Sequence, residues 1–164
     1  MIPFLERNEV DLLEQPLPYD MLEKHAELRK ATDIPIALDE SVKNSRDALK
    51  AVALGAADVI NIKLMKCGGI WEGIRILHVC EAAGLSCMVG CMGESRLGLT
   101  AATHLAASSP VVRYADVDSD FLLARDLVTR GGISIGPKRK LPDAPGLGVL
   151  EIDEEMLEFV AEIE

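Results

Sequence analysis

Five charged residues in this sequence have the types and the spacing that a reaction site requires. Glu14, Asp39 and Lys63 each follow a short apolar run, and Asp116 and Asp118 follow another. Two carboxylates at neighbouring positions suit a hard divalent cation such as Mg²⁺, which takes oxygen ligands. A lysine near a metal in a closed site has a lowered pKa and can take a proton from carbon. Together these groups predict proton abstraction next to a carboxylate, with the metal holding the enediolate.

The apolar runs before these residues predict parallel β-strands. They cover residues 10–13, 34–38, 59–62, 86–90 and 111–115. Between the second and third runs, Ser45 to Leu54 has the pattern of a helix that ends at Gly55. A strand, a helix and a strand joined by short connections form a βαβ unit with parallel strands. Because ligands bind at the carboxyl ends of such strands, we expect the charged residues to meet there.

The distances between polar strand ends predict the fold class. Successive ends are 25, 24, 28 and 25 residues apart, counted from Glu14 through Asp39, Lys63 and Cys91 to Asp116. Five βα units at such a period are typical of a (β/α)₈ barrel. A doubly wound open sheet can have the same period, but the glycine-rich phosphate loop of a dinucleotide fold follows none of these strands. We therefore predict an α/β fold with about five βα units of a TIM-type barrel.

The barrel units are predicted to end near residue 130. We assign residues 1–130 to a partial barrel domain and residues 131–164 to a C-terminal tail. Within the tail, the sequence predicts a strand over 131–136, a loop over 142–148 and an acidic helix over 153–163.

Each charged residue also has an ordinary structural interpretation. Asp39, with Ser41 close behind, could cap the following helix. Glu14 and Lys63 could be solvated strand ends, and the aspartates after the fifth strand could cap a helix over 121–125. For each residue alone these alternatives stay open. What favours a shared site is that all of them lie in register at the same end of successive strands.

Composition and charge exclude several classes of function. The net charge of -10 argues against nucleic acid and against anionic membranes as partners. No apolar run approaches the roughly 20 residues that a membrane span needs. The first residues lack the basic region and apolar core of a signal peptide. The four cysteines have no zinc-site spacing and suit a reducing compartment, so a cytoplasmic location is expected.

Several short motifs contain the charged residues. They are Glu14-Gln-Pro16, Asp39-Glu-Ser41, Asn61-Ile-Lys-Leu-Met-Lys66 followed by Gly68-Gly69, Cys91-Met-Gly-Glu-Ser95 and Asp116-Val-Asp118. In these motifs the sequence resembles the enolase superfamily, in its muconate-lactonizing-enzyme subgroup, and most of all the dipeptide epimerases of the L-Ala-D/L-Glu type. The resemblance covers roughly residues 10–149. It implies strands 4–8 of the family barrel, with a tail that in the family packs back towards an N-terminal capping domain.

The resemblance also implies a role for individual residues. Glu14 and Asp39 match two of the family's metal-binding carboxylates, and the metal is Mg²⁺. Lys63 matches the lysine that exchanges a proton on one face of the substrate α-carbon. Asp116 and Asp118 match the pair that holds the free ammonium group of the dipeptide. The other residues implied to contact substrate are Cys91 and Met92.

Other parts of the family site have no counterpart in this sequence. The first metal carboxylate, the second lysine, the first three strands and the capping domain all precede the matched region. The resemblance therefore implies an isomerase that is incomplete in this chain alone. The expected partners are a small dipeptide such as Ala-Glu, and either a missing N-terminal half or a second copy in a homo-oligomer. Alternatives in the same subgroup are an N-acylamino-acid racemase, an o-succinylbenzoate synthase and a muconate cycloisomerase. A non-catalytic half-barrel, as a remnant or a subunit, is the alternative from another class.

Overall fold

Five short parallel strands form one sheet, and their order in the sheet is their order in the chain. The computed structural model describes residues 1–158. The strands are β1 (Leu13–Glu14), β2 (Ile36–Leu38), β3 (Val59–Ile62), β4 (Ser86–Val89) and β5 (Val112–Ala115). A doubly wound sheet reverses its strand order at one point, whereas a barrel keeps winding in one direction. The predicted α/β class, with five units of a (β/α)₈ barrel, is therefore confirmed.

One helix precedes β1, and the others connect successive strands of the sheet. They are α1 (Ile2–Arg7), α2 (Leu22–Arg29), α3 (Ser45–Leu54), α4 (Leu64–Cys67), α5 (Ile70–Ala83) and α6 (Arg96–Ala107). Helix α5 packs between α3 and α6, and it also contacts β3 and β4. Within residues 1–158 no helix has both the length and the apolarity that a membrane crossing needs.

The two faces of the sheet bury different sets of side chains. The helix-covered face holds the main core, which includes Leu38, Ile60 and Ile62. The opposite face holds a small cluster with Ala37, Val59 and Met88. Because side chains alternate along a strand, the residue two positions after each member of this cluster points to the same face of the sheet.

Helix α3 shows how local sequence sets the boundaries of an element. Its bounds, Ser45 to Leu54, are those that the sequence predicts. Asn44 caps the first turn, because its side chain accepts hydrogen bonds from the backbone amides of Arg46 and Asp47. Gly55 ends the helix in the left-handed conformation, at φ 65°, which glycine adopts without strain.

The tail differs from its prediction. Two strands, β6 (Val128–Gly131) and β7 (Val149–Ile152), form an antiparallel pair, so the strand predicted over 131–136 is wrong. The predicted boundary falls inside β6. Of the acidic helix predicted over 153–163, the structure has a 3₁₀ turn at Glu154–Met156, while residues 159–164 lie outside the described residues. The division at residue 130 stays a prediction.

Replacing Asn44 by alanine should lower the free energy of unfolding by about 1 kcal/mol, because two amides of the first α3 turn lose their acceptor. Urea denaturation of the N44A and N44S variants measures this effect. Serine keeps an acceptor oxygen at the same position, so N44S should retain most of the stability. Equal losses in the two variants would contradict the capping role.

Candidate active site

The alternation of the strands brings the predicted site residues to one face of the sheet. Asp39 lies two positions after Ala37 of the small inner cluster, and Lys63 lies four after Val59. Glu14 ends β1, whose residues pair in register with β2. The carboxyl ends of β1, β2 and β3 therefore present two carboxylates and one ammonium group side by side.

Asp39 is the centre of a buried ion-pair network. Only 6% of Asp39 is exposed. Its Oδ2 lies 2.7 Å from Lys63 Nζ, and its Oδ1 lies 2.6 Å from Lys66 Nζ. Burial raises the pKa of Asp39, but the hydrogen bonds and charges of the two lysines outweigh it, so the net pKa is lowered. The carboxylate therefore stays charged because both of its oxygens are paired.

The two lysines are held differently. Lys66 Nζ also donates to the carbonyl oxygens of Asn61, at 2.8 Å, and of Asp39. An ammonium group has three protons, so each proton of Lys66 has an acceptor and its position is fixed. Among the described residues, Lys63 Nζ has one hydrogen bond, to Asp39. Lys63 is therefore the lysine with protons left for another group.

The protein groups around Lys63 act on its pKa in the direction opposite to the one expected beside a metal ion. Burial lowers the pKa of Lys63, but the hydrogen bond that Lys63 donates to Asp39 and the charges of Asp39, Glu14 and Glu40 outweigh it, so the net pKa is raised. Burial does lower the pKa of Lys66, and there it outweighs the attraction to Asp39. The direct contact with Asp39, which the sequence alone does not show, is among the causes that raise the Lys63 pKa.

Glu14 is exposed and meets β3 through Asn61. Its Oε1 accepts a hydrogen bond from Asn61 Nδ2 at 2.7 Å. The amide oxygen of Asn61 is buried and has no partner among the described residues. Carboxylate and amide oxygens are the donors that Mg²⁺ prefers. Glu14 and Asp39 therefore offer carboxylate oxygens of the kind that a hard divalent cation takes, and in this structure both Asp39 oxygens contact lysines.

A second group of polar side chains follows β4 and β5. One ligand atom each from Cys91, Asp116 and Asp118 lies within 4.8 Å of the others. Burial and the negative charge of Asp118 raise the pKa of Asp116, and the charge of Glu14 adds to this. Two carboxylates so close together favour a cation between them, which can be an ammonium group or a metal ion. Met92, predicted to contact substrate, is half exposed next to Cys91.

The capping alternatives for the aspartates are wrong. Asn44, and not Asp39, caps α3. The helix considered over 121–125 does not form, and a 3₁₀ turn at Ser119–Leu122 takes its place. The Asp118 side chain makes no capping hydrogen bond to this turn, and Asp120 instead pairs with Arg139. Asp39, Asp116 and Asp118 are therefore free of a capping role.

Three residues of the site were not assigned a role from sequence. Lys66 lies three residues after Lys63, and this spacing on a helical turn places both side chains on one side. The sequence could therefore have predicted that Lys66 lies beside Lys63. Asn61 is also on the inner face by alternation. Glu94 is buried, and both its carboxylate oxygens lack a hydrogen-bond partner among the described residues. Burial raises the pKa of Glu94, against the opposing effect of two nearby backbone amides and of Lys63.

Gly90 makes room for the contacts around Asn61. It lies two positions after Met88 of the small inner cluster. A Cβ atom at Gly90 would lie 2.7 Å from Asn61 Oδ1 and 3.0 Å from Lys63 Cε. Such distances are shorter than van der Waals contact, so a side chain at this position would displace both neighbours.

Comparisons with known proteins agree on one family. A family model described as enolase C-terminal domain-like matches residues 1–156. The hydrophobic dipeptide epimerase of Enterococcus faecalis is 44% identical over 144 residues, which are 86% of this chain and 40% of that protein. The L-Ala-D/L-Glu epimerase of Bacillus subtilis is 42% identical over 141 residues, 86% of this chain and 38% of that protein. The N-succinyl-L-Arg/Lys racemase of Bacillus cereus is 37% identical over 150 residues, 91% of this chain and 40% of that protein.

Solved structures of the first two proteins have the same fold. The Bacillus subtilis epimerase, in a substrate-liganded complex, superposes with a TM-score of 0.88 at 40% identity, over 93% of this chain and 43% of that one. The Enterococcus faecalis epimerase, in complex with Mg and the dipeptide L-Leu-L-Tyr, superposes with a TM-score of 0.86 at 44% identity, over 90% of this chain and 42% of that one. The chain thus spans about 40% of the length of the curated relatives it matches.

Replacing Gly90 by alanine should destabilise the chain by about 1–3 kcal/mol, because the added methyl group enters an occupied space. It should also shift the side-chain amide signals of Asn61 in an NMR spectrum, since the Asn61–Glu14 hydrogen bond must move. Gly93 is a matched control: a Cβ there meets no atom within 4 Å. If G90A and G93A behaved alike in urea denaturation and in the Asn61 signals, the packing around Asn61 would not need a glycine.

Proposed function

The chain belongs to the enolase C-terminal domain-like family, and on this premise we propose that it is the C-terminal part of a Mg²⁺-dependent dipeptide epimerase. The complete enzyme would remove the α-proton from the C-terminal residue of a dipeptide and return a proton to either face. Ala-Glu dipeptides are the proposed substrate class. The observation that carries the proposal is that Glu14, Asp39 and Lys63 share one face of the sheet, and the charges of Glu14 and Lys63 also act on Asp116.

In this proposal Lys63 is the group that exchanges the proton. Its ammonium group has one hydrogen bond, to a carboxylate at the end of the neighbouring strand. It can therefore turn towards a substrate while Lys66, whose three protons all have acceptors, keeps Asp39 in place. Proton exchange by a positioned side chain contributes about 10²–10⁴-fold to a reaction rate.

Glu14 and Asp39 are the proposed ligands of the metal. A bound Mg²⁺ ion supplies positive charge that stabilises the developing charge on a substrate carboxylate and lowers the pKa of a neighbouring lysine. Asn61 supports this arrangement because its amide holds the Glu14 carboxylate. A further metal carboxylate and a second proton carrier, on the opposite face of the α-carbon, are proposed to come from polypeptide outside this chain.

Asp116 and Asp118 favour a dipeptide over an N-acylated amino acid. The two carboxylates are close enough to hold one cation between them, and a dipeptide offers its free ammonium group. An N-acylamino acid has no charge at the corresponding nitrogen, and burying two carboxylates against it would leave them uncompensated. This pair is therefore the feature that separates the proposal from an N-acylamino-acid racemase.

The proposal is tested by co-expressing the chain with the part of the Enterococcus faecalis epimerase that it does not match. Exchange of the α-proton is followed by ¹H NMR in D₂O, with an Ala-Glu dipeptide and Mg²⁺. The assembled protein should catalyse the exchange, and a chelator or the K63A substitution should abolish it. Replacing Lys43, a surface residue on another loop, provides the matched lysine control. Absence of exchange in the assembled protein would favour a non-catalytic half-barrel.

The D116N and D118N variants of the assembled protein test the ammonium site. Each should lower kcat/KM for the free dipeptide by about tenfold to a hundredfold, since a charge-assisted contact contributes about 1.5–3 kcal/mol. The N-acetylated dipeptide, which lacks the positive charge, should be turned over equally well or equally poorly by the wild type and the variants. An equal loss on both substrates, or unchanged turnover of the free dipeptide, would contradict the assignment.

A further inference from the structure

Gln15, the residue after Glu14, has an unusual backbone conformation. Its φ is +40°, and among the described residues other than glycine it shares a positive φ only with Glu9. A non-glycine residue pays a steric cost in this region and keeps it where surrounding contacts hold it there. The backbone N–H of Gln15 still donates to the Ala37 carbonyl of β2, at 2.9 Å. Gln15 therefore turns the chain out of β1 without losing its bond to β2.

The Gln15 side chain makes further hydrogen bonds to residues that follow β2. Its Oε1 accepts hydrogen bonds from the backbone amides of Asp39, at 2.9 Å, and of Ser41, at 3.2 Å. Its Nε2 lies 2.8 Å from Ser41 Oγ and 2.9 Å from the Leu17 carbonyl. It also lies 3.3 Å from Nε2 of His25. The Gln15 side chain thus connects Asp39 and Ser41, which follow β2, to His25 of α2.

Hydrogen-bond chemistry fixes the orientation of this amide. The Nδ1 atom of His25 lies 2.9 Å from the Met21 carbonyl, which can only accept, so Nδ1 carries the proton and Nε2 accepts from Gln15. On the other side, Asp39 and Ser41 offer backbone N–H groups. A rotated amide would set its NH₂ group against these donors and its oxygen against the Leu17 carbonyl and His25 Nε2, which cannot donate, so the observed orientation is the favourable one.

Besides the Gln15 side chain, β1 is held by backbone hydrogen bonds to β2 and by the hydrogen bond between Glu14 and Asn61. The strand has two residues, and its backbone bonds to β2 include Leu13 N to the Pro35 carbonyl and Gln15 N to the Ala37 carbonyl. Glu14 stands between these two bonds. The bonds from the Asp39 and Ser41 amides to the Gln15 side chain add to these contacts and help to set the Glu14 backbone relative to Asp39.

We propose that Gln15 is a positioning residue that fixes the spacing between Glu14 and Asp39. The proposal rests on the proposed function, in which these two carboxylates hold one Mg²⁺ ion. Gln15 itself does not touch the ion or the substrate. Its side-chain Oε1 accepts a hydrogen bond from the Asp39 amide. Because Gln15 is bonded directly to Glu14 in the chain, this contact also sets the position of the Glu14 backbone. Groups that orient metal ligands in this way typically change metal affinity by 10–100-fold when they are replaced.

The Q15N variant of the full chain tests the proposal. Asparagine tolerates a positive φ and keeps the amide group, but it is one methylene shorter and cannot span to Asp39 and Ser41. Two quantities are measured: the Mg²⁺ affinity by calorimetry, and the backbone amide signals of Asp39 and Ser41 by NMR without added metal. N44A is the matched control, since it removes two hydrogen bonds at the start of α3 that involve neither Gln15 nor the two carboxylates. Q15G, which relieves the backbone strain and removes the side chain, is the second variant.

The expected result is a loss of Mg²⁺ affinity of about tenfold or more in Q15N and Q15G, with shifted amide signals for Asp39 and Ser41. N44A should keep the wild-type affinity and signals. Wild-type affinity and unmoved signals in Q15N would overturn the proposal, as would an equal loss of affinity in N44A. If the wild-type chain binds no Mg²⁺, the metal assignment of the proposed function fails, and the metal-free amide signals alone then support or overturn the role of Gln15.

Discussion

The buried carboxylate of Asp39 is the constraint on which the candidate site depends. A charged group with so little exposure is stable only if its oxygens are paired, and removing one partner of a buried pair costs about 3–5 kcal/mol. Lys63 and Lys66 provide this pairing, and both come from the chain that follows β3. The ion pairs of Asp39 therefore connect the end of β2 to the end of β3. Lys66 also donates a hydrogen bond to the Asn61 carbonyl of β3.

The rest of the sheet provides the space that this network needs. The face of the sheet opposite the helices has a small apolar cluster of Ala37, Val59 and Met88. The charged residues follow this cluster towards the carboxyl ends of the strands. The larger core lies on the other face under α3, α5 and α6. This division lets the strands be buried on both faces while their carboxyl ends stay polar. Position 90 is a glycine on the same face as this cluster, and any side chain there would collide with Asn61.

The sequence predicted the elements whose signals are local. The α3 helix is bounded by its own cap and its own glycine, and the strand ends recur at a nearly constant distance, so both were predictable. The β6–β7 pair joins segments about twenty residues apart, and no local pattern marks its partner. The Lys63 pKa and the Gln15 conformation depend on contacts with Asp39 across strands, and a single sequence does not show how such contacts balance.

Two groups of oxygen ligands in this structure suit a cation, and the central claim is that Glu14 and Asp39 form the metal site. Titration of the chain with Mn²⁺, a paramagnetic substitute for Mg²⁺, tests this claim because the ion broadens the NMR signals of nearby amides. If Glu14 and Asp39 hold the metal, broadening begins at Gln15 and Glu40, beside the two carboxylates. Broadening that begins instead at Met92 and Val117 would place the metal among Cys91, Asp116 and Asp118 and would contradict this claim.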